Sequence, residues 1–343
     1  MTTAPESSAP PTEVLAAFGH GHVRCERITS GHINRTWRLY TAAGESQILQ
    51  RINEVFPAAV QRDIAAVTEH LRACGVPTLT MVPTSTGEPF LERDGEVWRL
   101  CRYIEGETLE RVTRASQARE AGRVLQNFHA AATSYRGTLS HARTGIHDLN
   151  RHLQNLENAL HAHTEHRHYR DVHRIAARIV EAAAAVRDHA PTRATVVHGD
   201  PKISNVIFNG DSAVCLIDLD TLNTMPLELE IGDALRSWCN TEAEDSPHAQ
   251  CSIEYFTAAC EGYAKIDAEL AVVLPDTTAK IAVELAARFC ADALTEHYFG
   301  WDAQRFESAS AHNQARCEAQ LRLAADVLEQ RAELRRIALE VAG

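Results

Sequence analysis

The chain has 343 residues, 45% of them hydrophobic and 23% charged, with a formal net charge of −12. That is enough chain for two lobes with separate cores and has the balance of an ordinary globular protein. The acidic excess argues against nucleic acid as a partner, and no apolar run approaches the roughly 20 residues of a membrane helix, which argues against a membrane.

The first twelve residues, rich in Thr, Ser, Ala and Pro, read as a disordered tail (1–12). A short helix is expected over 13–18, then strands over 23–28, 35–40 and 46–52, with turns at Ser30-Gly31-His32 and Ala43-Gly44. An amphipathic helix over 57–74 ends at Gly75, just before Pro77. A hairpin follows, 89–91 to 96–103, through Asp94-Gly95. Residues 13–104 thus outline a small, strand-rich lobe, and 105–343 a larger one. In the larger part helices are expected over 114–132, once or twice in 149–190, and over 227–240, 252–264, 277–298 and 312–341. Strands first and helices after is an α+β pattern.

The helical part is interrupted by His198-Gly199-Asp200-Pro201-Lys202-Ile203-Ser204-Asn205, followed by Cys215-Leu216-Ile217-Asp218-Leu219-Asp220. Between them, Val206-Ile207-Phe208, Asn209-Gly210-Asp211 and Ala213 to Ile217 read as strand, turn and strand. Such a hairpin brings Asp218 back beside Asn205. The protein-kinase loop H-R-D-x-x-x-x-N has the same Asp-to-Asn spacing, with Gly199 here in place of Arg. Phosphoryl transfer calls for this set. Asp200 is the expected base for an attacking hydroxyl, and Lys202 the cation that offsets charge on the transferring group. Asn205 and Asp218 are the expected Mg²⁺ ligands, and Asp220 either binds a second metal or caps the next loop. His198 is expected to brace the loop.

The loop and hairpin resemble those of the aminoglycoside phosphotransferase and choline kinase superfamily. Within it the chain is similar to N-acetylhexosamine 1-kinases. The similar segments include Gly31-His32-Ile33-Asn34-Arg35-Thr36, Ile48-Leu49-Gln50-Arg51-Ile52-Asn53 and Ile231-Gly232-Asp233-Ala234-Leu235-Arg236. The resemblance runs from about 28 to about 324 and implies a protein-kinase-like fold of two lobes, with ATP and Mg²⁺ as cofactors. Ser30-Gly31-His32-Ile33-Asn34 then stands where a glycine-rich phosphate loop belongs, with Ser30, Gly31 and Asn34 as nucleotide contacts; a plain hairpin turn explains the segment almost as well. The strand 46–52 lacks the expected Lys. Arg51 is the cation at hand, Gln50 lies beside it, and a one-residue slip of register would exchange them. Asp63 or Glu69 is the expected partner on the following helix. Cys101 and Tyr103 belong to a hinge whose backbone meets adenine.

Asp233 with Arg236 reads as an acceptor-binding pair or as an internal salt bridge bracing the loop. The resemblance implies that Arg288 and Tyr298 touch sugar hydroxyls, with Asn313 and Arg316 nearby, while Asp292 competes for Arg288 as a helix-face ion pair. Trp238 and Trp301 are stacking or core residues. His161, His163, His166 and His168 read as a solvated helical insertion rather than a zinc site.

Nine scattered cysteines without a C-x-x-C pair fit reduced thiols and a cytoplasmic location. The expected activity is transfer of the ATP γ-phosphoryl group to a hydroxyl of a small molecule, a sugar or amino sugar foremost. An aminoglycoside, choline or another amino alcohol is the alternative acceptor. The rival is a catalytically inactive nucleotide-binding regulator, which only the missing Lys supports.

Overall fold

Trp37 and Leu39 alternate with polar residues in 35–40, so both fall on one face of a strand, and Leu49, Trp98 and Leu100 extend that face across its neighbours. The computed structural model describes residues 9–28, 34–141 and 145–343. It divides into two compact units, one running to Glu105 with a later segment beginning at Ser134, the other made of the remainder.

The first unit contains α1 (Thr12–Ala17), β1 (Arg24–Ile28), β2 (Arg35–Tyr40), β3 (Ser46–Ile52), α2 (Ala58–Ala73), β4 (Met81–Val82), β5 (Leu91–Arg93) and β6 (Glu96–Arg102). The strands form one antiparallel sheet in the order β1-β2-β3-β6-β4, with β5 also paired to β6. One face packs Trp37, Leu39, Leu49, Trp98 and Leu100 against Val14 and Leu15 of α1 and Phe18 just after it. The other carries Gln50 and Arg99 and is bound to α2 through Gln61. Gly75, at φ +76°, closes α2, with Val76 donating back to the Leu71 carbonyl at 2.9 Å. Asp63 of α2 accepts the N–H and hydroxyl of Ser140 (2.9 Å each) and the N–H of His141 (3.1 Å). This fastens the later segment to the unit.

The second unit contains β7 (Glu107–Thr108), α3 (Ala115–Ala132), α4 (Leu149–Ala162), α5 (Tyr169–Ala185), β8 (Ala194–Val197), β9 (Val206–Asn209), β10 (Ser212–Leu216) and β11 (Asn223–Pro226). It continues with α6 (Leu227–Trp238), α7 (Ile253–Tyr263), α8 (Ala268–Thr295), α9 (Ala309–Glu329) and α10 (Arg331–Ala342). Its strands make two small antiparallel groups, β10-β9-β7 and β11-β8. Together the units make an α+β fold.

The centre of the second unit is α8, which is buried on nearly all sides and packs against α4, α5, α6, α9 and α10. The sequence predicts this helix from residue 277, yet it starts at Ala268, where Asp267 accepts the Leu270 N–H at 2.8 Å. Pro275 remains inside it. Apolar burial around the whole helix outweighs the one hydrogen bond that proline removes. The single helix expected over 312–341 is two, α9 and α10. Arg331 and Arg335 of α10 bind the buried Asp276 of α8 at 3.1 and 2.8 Å, which draws α10 onto α8 and bends the chain at Gln330.

Candidate active site

The loop His198–Asn205 lies in the second unit, between β8 and β9, and α6 holds it. Glu230 of α6, fully buried, accepts the N–H groups of His198 and Gly199 at 2.8 and 2.9 Å, one on each carboxylate oxygen. Ser237 accepts the Ile203 N–H at 3.0 Å, and the Trp238 indole donates to the Pro201 carbonyl at 2.8 Å. The buried His198 ring donates from Nε2 to the Ile217 carbonyl at 2.7 Å and accepts the Asp200 N–H at Nδ1 at 3.3 Å. Burial pushes the His198 pKa down, which suits a neutral ring that both donates and accepts. Gly199 sits at φ +87°, and a Cβ there would lie 2.0 Å from the Thr221 carbonyl oxygen. Glycine is required on both counts.

This bracing gathers the four residues of the motif. Lys202 Nζ meets Asp200 Oδ2 at 2.7 Å. The Asn205 amide nitrogen donates to the Asp200 carbonyl (2.8 Å) and to its Oδ2 (3.2 Å), which turns the amide oxygen the other way. The Ile217 N–H donates to the Asn205 carbonyl at 2.8 Å, so Asp218 follows directly beside Asn205. Asp218 adopts left-handed backbone angles, φ 65° and ψ 56°, one of four non-glycine residues with positive φ among the described residues. Asp220 is buried in the 3-10 turn that follows. Burial works to raise the Asp200 pKa, but the Lys202 ammonium, with Arg236 behind it, overrides burial and holds the carboxyl below its usual range. Burial likewise opposes the Lys202 charge, and Asp200 and Asp218 more than offset it, so the ammonium is held more firmly than in water.

Among the described residues no group of three or more His, Cys, Asp or Glu stands ready to hold a metal unaided. The oxygen donors Asn205 and Asp218 suit a hard divalent ion that keeps waters and phosphate oxygens in its shell. His161, His163, His166 and His168 lie at the end of α4 and in the connection to α5, with His166 Nε2 donating to Glu296 Oε1 at 3.0 Å.

Of the acceptor candidates, Asp233 is closed in a buried pair with Arg236, Nε to Oδ1 at 2.8 Å. Tyr298 is 55% exposed, with the Arg288 guanidinium 5.9 Å from its ring centre. The expected pair of Arg288 with Asp292 is not formed. Asp292 accepts instead from the N–H groups of His297, Tyr298 and Phe299 and from Asn313 Nδ2, all at 2.8 to 3.0 Å, because the carboxylate caps the chain where α8 ends. Asn313 is thereby a buried structural residue, and Arg316 donates to the Gly300 carbonyl at 2.8 Å. Trp238 belongs to the core, whereas Trp301 is 41% exposed.

In the first unit, Ser30 and Gly31 lie outside the described residues. Asn34 Oδ1 accepts the Asn53 N–H at 2.9 Å, tying the start of β2 to the end of β3. Register sets Arg51 on the face away from α2. It shares a face with Leu49 and Trp98, the face covered by α1, and pairs with Glu96 at 2.8 Å. Gln50 occupies the α2 face, and the cation there is Arg99 of β6. Arg99 is 1% exposed and donates to Gln50 Oε1 at 2.8 Å and to Gln61 Oε1 at 3.0 Å. Its helix partner is therefore Gln61. Asp63 is engaged with Ser140 and His141, and Glu69 is exposed. Cys101 is also corrected: it is paired to Ile48 on one side and Met81 on the other, so its backbone belongs to the sheet. The Tyr103 N–H goes to the Ser46 carbonyl at 3.2 Å, and Arg38 covers the Tyr103 ring at 4.0 Å. Among the described residues, Ile104 and Glu105 are the first past Tyr103 whose N–H groups bind no other backbone group.

Arg99→Met keeps the apolar stem and strips the guanidinium from two buried amide oxygens. It should lower the unfolding free energy by about 2–4 kcal/mol in urea titration. An unchanged midpoint would mean that Arg99 does not tie α2 to the sheet.

Glu230, Arg99 and Gln61 were not expected from the sequence. The only local signal for Glu230 is its place four residues into the segment that opens α6.

Two comparisons bear on this geometry. The profile of the phosphotransferase enzyme family matches residues 24–269. Among solved structures, an aminoglycoside phosphotransferase from Alicyclobacillus acidocaldarius shares 16% identity and a TM-score of 0.63 over 98% of each chain. A microcompartment-associated aminopropanol kinase shares 13% and 0.61 over 96% of this chain and 98% of its own. An amicoumacin kinase solved with AMP-PNP, Ca²⁺ and Ami shares 11% and 0.57 over 87% of both chains. At these identities the structural likeness concerns the fold.

Proposed function

Since the chain belongs to the phosphotransferase enzyme family, we propose that it is a kinase that moves the γ-phosphoryl group of ATP, with Mg²⁺, to a hydroxyl of a sugar or amino sugar. The observation that carries this is the single loop on which Lys202 and Asn205 both contact Asp200, at 2.7 and 3.2 Å. In this reading Asp200 orients the acceptor hydroxyl and takes its proton as the new O–P bond forms and the bond to the departing ADP breaks. Lys202 offsets charge on the transferring group. Asn205 and Asp218 would hold the divalent ion, with Asp220 behind them, and that ion when bound supplies charge neutralisation on the phosphates. The amicoumacin kinase complex with AMP-PNP and Ca²⁺ supports this choice of cofactors. Ser30, Gly31 and Asn34 are proposed to meet the nucleotide phosphates, and Ile104 and Glu105 the base.

The sugar acceptor is supported by the resemblance to N-acetylhexosamine 1-kinases, with Arg288 and Tyr298 as contacts. Among the described residues no helix is long and apolar enough to cross a membrane, and we assign the protein to the cytoplasm, where ATP is available.

The test is ADP release with Mg-ATP against sugars, amino sugars, aminoglycosides and amino alcohols, with Asp200→Asn as the blank. Turnover with an amino alcohol alone would replace the sugar reading, and Mg-ATP binding without turnover on any acceptor would favour a regulator.

The same assay has a defined pH dependence. Because the Lys202 ammonium holds Asp200 below the ordinary carboxylate range, Asp200 stays ionised through neutrality and loses its charge only at more acid pH than a free carboxylate does. kcat/KM should therefore be level between about pH 5.5 and 8 with respect to this base. An acid limb centred near 6.5, the ordinary histidine value, would transfer the role to a histidine.

A further inference from the structure

His147, in the turn before α4, and Glu284, on α8, make a buried pair that the proposed chemistry does not use. His147 Nδ1 lies 3.1 Å from Glu284 Oε1, with the side chains 6% and 2% exposed. His152 Nε2 is 3.7 Å from the same oxygen and bonds to the Ile146 carbonyl at 2.9 Å. The far atoms of the pair, His147 Nε2 and Glu284 Oε2, are buried without a hydrogen-bond partner among the described residues. An orphaned buried carboxylate oxygen or ring nitrogen is costly, and native folds retain few of them. The other such groups have simpler settings. His129 Nε2 lies 3.6 Å from Glu230, and the Gln320 amide is buried in α9.

The pair also lies on a line of charges that leads to the catalytic loop. Arg236 acts on Asp200 and is bonded to Asp233, whose charge reaches His147. At Gly232, α6 and α8 are so close that a Cβ would meet Thr277 at 2.8 Å and Ile281 at 3.3 Å. Glu284 and then Arg288 follow Ile281 along α8 at three- and four-residue steps, on one side of the helix.

We propose that His147 and Glu284 read the acceptor, with His147 Nε2 donating to, and Glu284 Oε2 accepting from, hydroxyl groups of a neutral polyhydroxylated compound. This rests on the kinase reading for the identity of the site. A hydroxyl both donates and accepts, which matches one donor and one acceptor side by side. Burial disfavours charge on His147, but Glu284, aided by Asp233 and opposed by Arg288, outweighs it, and the ring keeps its proton to higher pH than a free histidine. A protonated His147 neutralises Glu284, as Arg236 neutralises Asp233. A cationic head group gains little there, whereas a sugar loses nothing. His147 stands on a turn rather than a helix.

Calorimetric titration of the full chain with N-acetyl-D-glucosamine, D-glucose and choline tests this without requiring turnover. A neutral sugar should bind. Glu284→Gln and His147→Gln should weaken it at least tenfold while Mg-ATP affinity stays within about twofold. No binding of either sugar, or sugar affinity unchanged in variants that still melt cooperatively, overturns the proposal. If the variants do not fold, histidine side-chain NMR of the wild type decides. Addition of N-acetyl-D-glucosamine must move the His147 ring resonances, and their constancy overturns the proposal. ADP release is measured in parallel. A sugar that binds through this pair but is never phosphorylated overturns the sugar-kinase reading and leaves the recognition pair standing.

Discussion

Asp200→Asn should lower kcat by about 10²- to 10⁴-fold, the usual contribution of a positioned general base, while Mg-ATP affinity changes little. The substitution keeps the volume and an oxygen for Lys202, but it removes the charge that the loop concentrates there. In the wild type that charge is sustained against burial by Lys202 and Arg236. The variant amide also opposes the Asn205 NH₂ group, which now donates to Asp200 Oδ2 at 3.2 Å. Steady-state ADP release on the best acceptor, beside calorimetric Mg-ATP binding, separates the two effects. Turnover within tenfold of wild type would remove Asp200 from the chemistry, whatever the family.

Glu230→Gln should lower turnover by at least tenfold and also cost about 2–4 kcal/mol of stability. Each oxygen of this buried carboxylate takes one loop N–H, from His198 and Gly199. Glutamine must turn its NH₂ towards one of these donors, which leaves a buried N–H unsatisfied and removes a charge-assisted bond. Burial works to raise the Glu230 pKa, but the His129 and His198 rings and the Gly199 N–H lower it on balance. The carboxylate is therefore the form that clamps the loop. Because Glu230 acts through Gly199, the expected signature is a fall in kcat with the nucleotide KM unchanged. Loss of stability with full turnover would make the clamp structural only.

The catalytic loop was legible because its chemistry is local: Asp200, Lys202 and Asn205 lie within six residues, and a short hairpin returns Asp218 to them. The strands of the first unit were legible from alternation, and α2 from its apolar stripe and Gly75. Long-range partners were not. Whether Gln50 or Arg51 faces α2 depends on register against β6, and the cation that meets Gln50 there comes from β6 itself. Glu230 is one acid among several in its segment until the fold sets it beneath Gly199. The part of α8 before residue 277, with Pro275 inside it, was not expected because the burial that overrides the proline is tertiary. His147 and Glu284 are 137 positions apart, so nothing local joins them.

The fastening of Ser140 and His141 to Asp63 has a consequence for synthesis on the ribosome. The first unit is not contiguous in the gene: α3, which belongs to the other unit, is translated before the peptide that completes the first one. A nascent chain halted at Glu105 exposes the Asp63 carboxylate with none of its three backbone and hydroxyl donors. Vectorial folding of the first unit therefore cannot finish until His141 has cleared the exit tunnel, and a gene split at residue 105 should yield an amino-terminal fragment that remains a chaperone client.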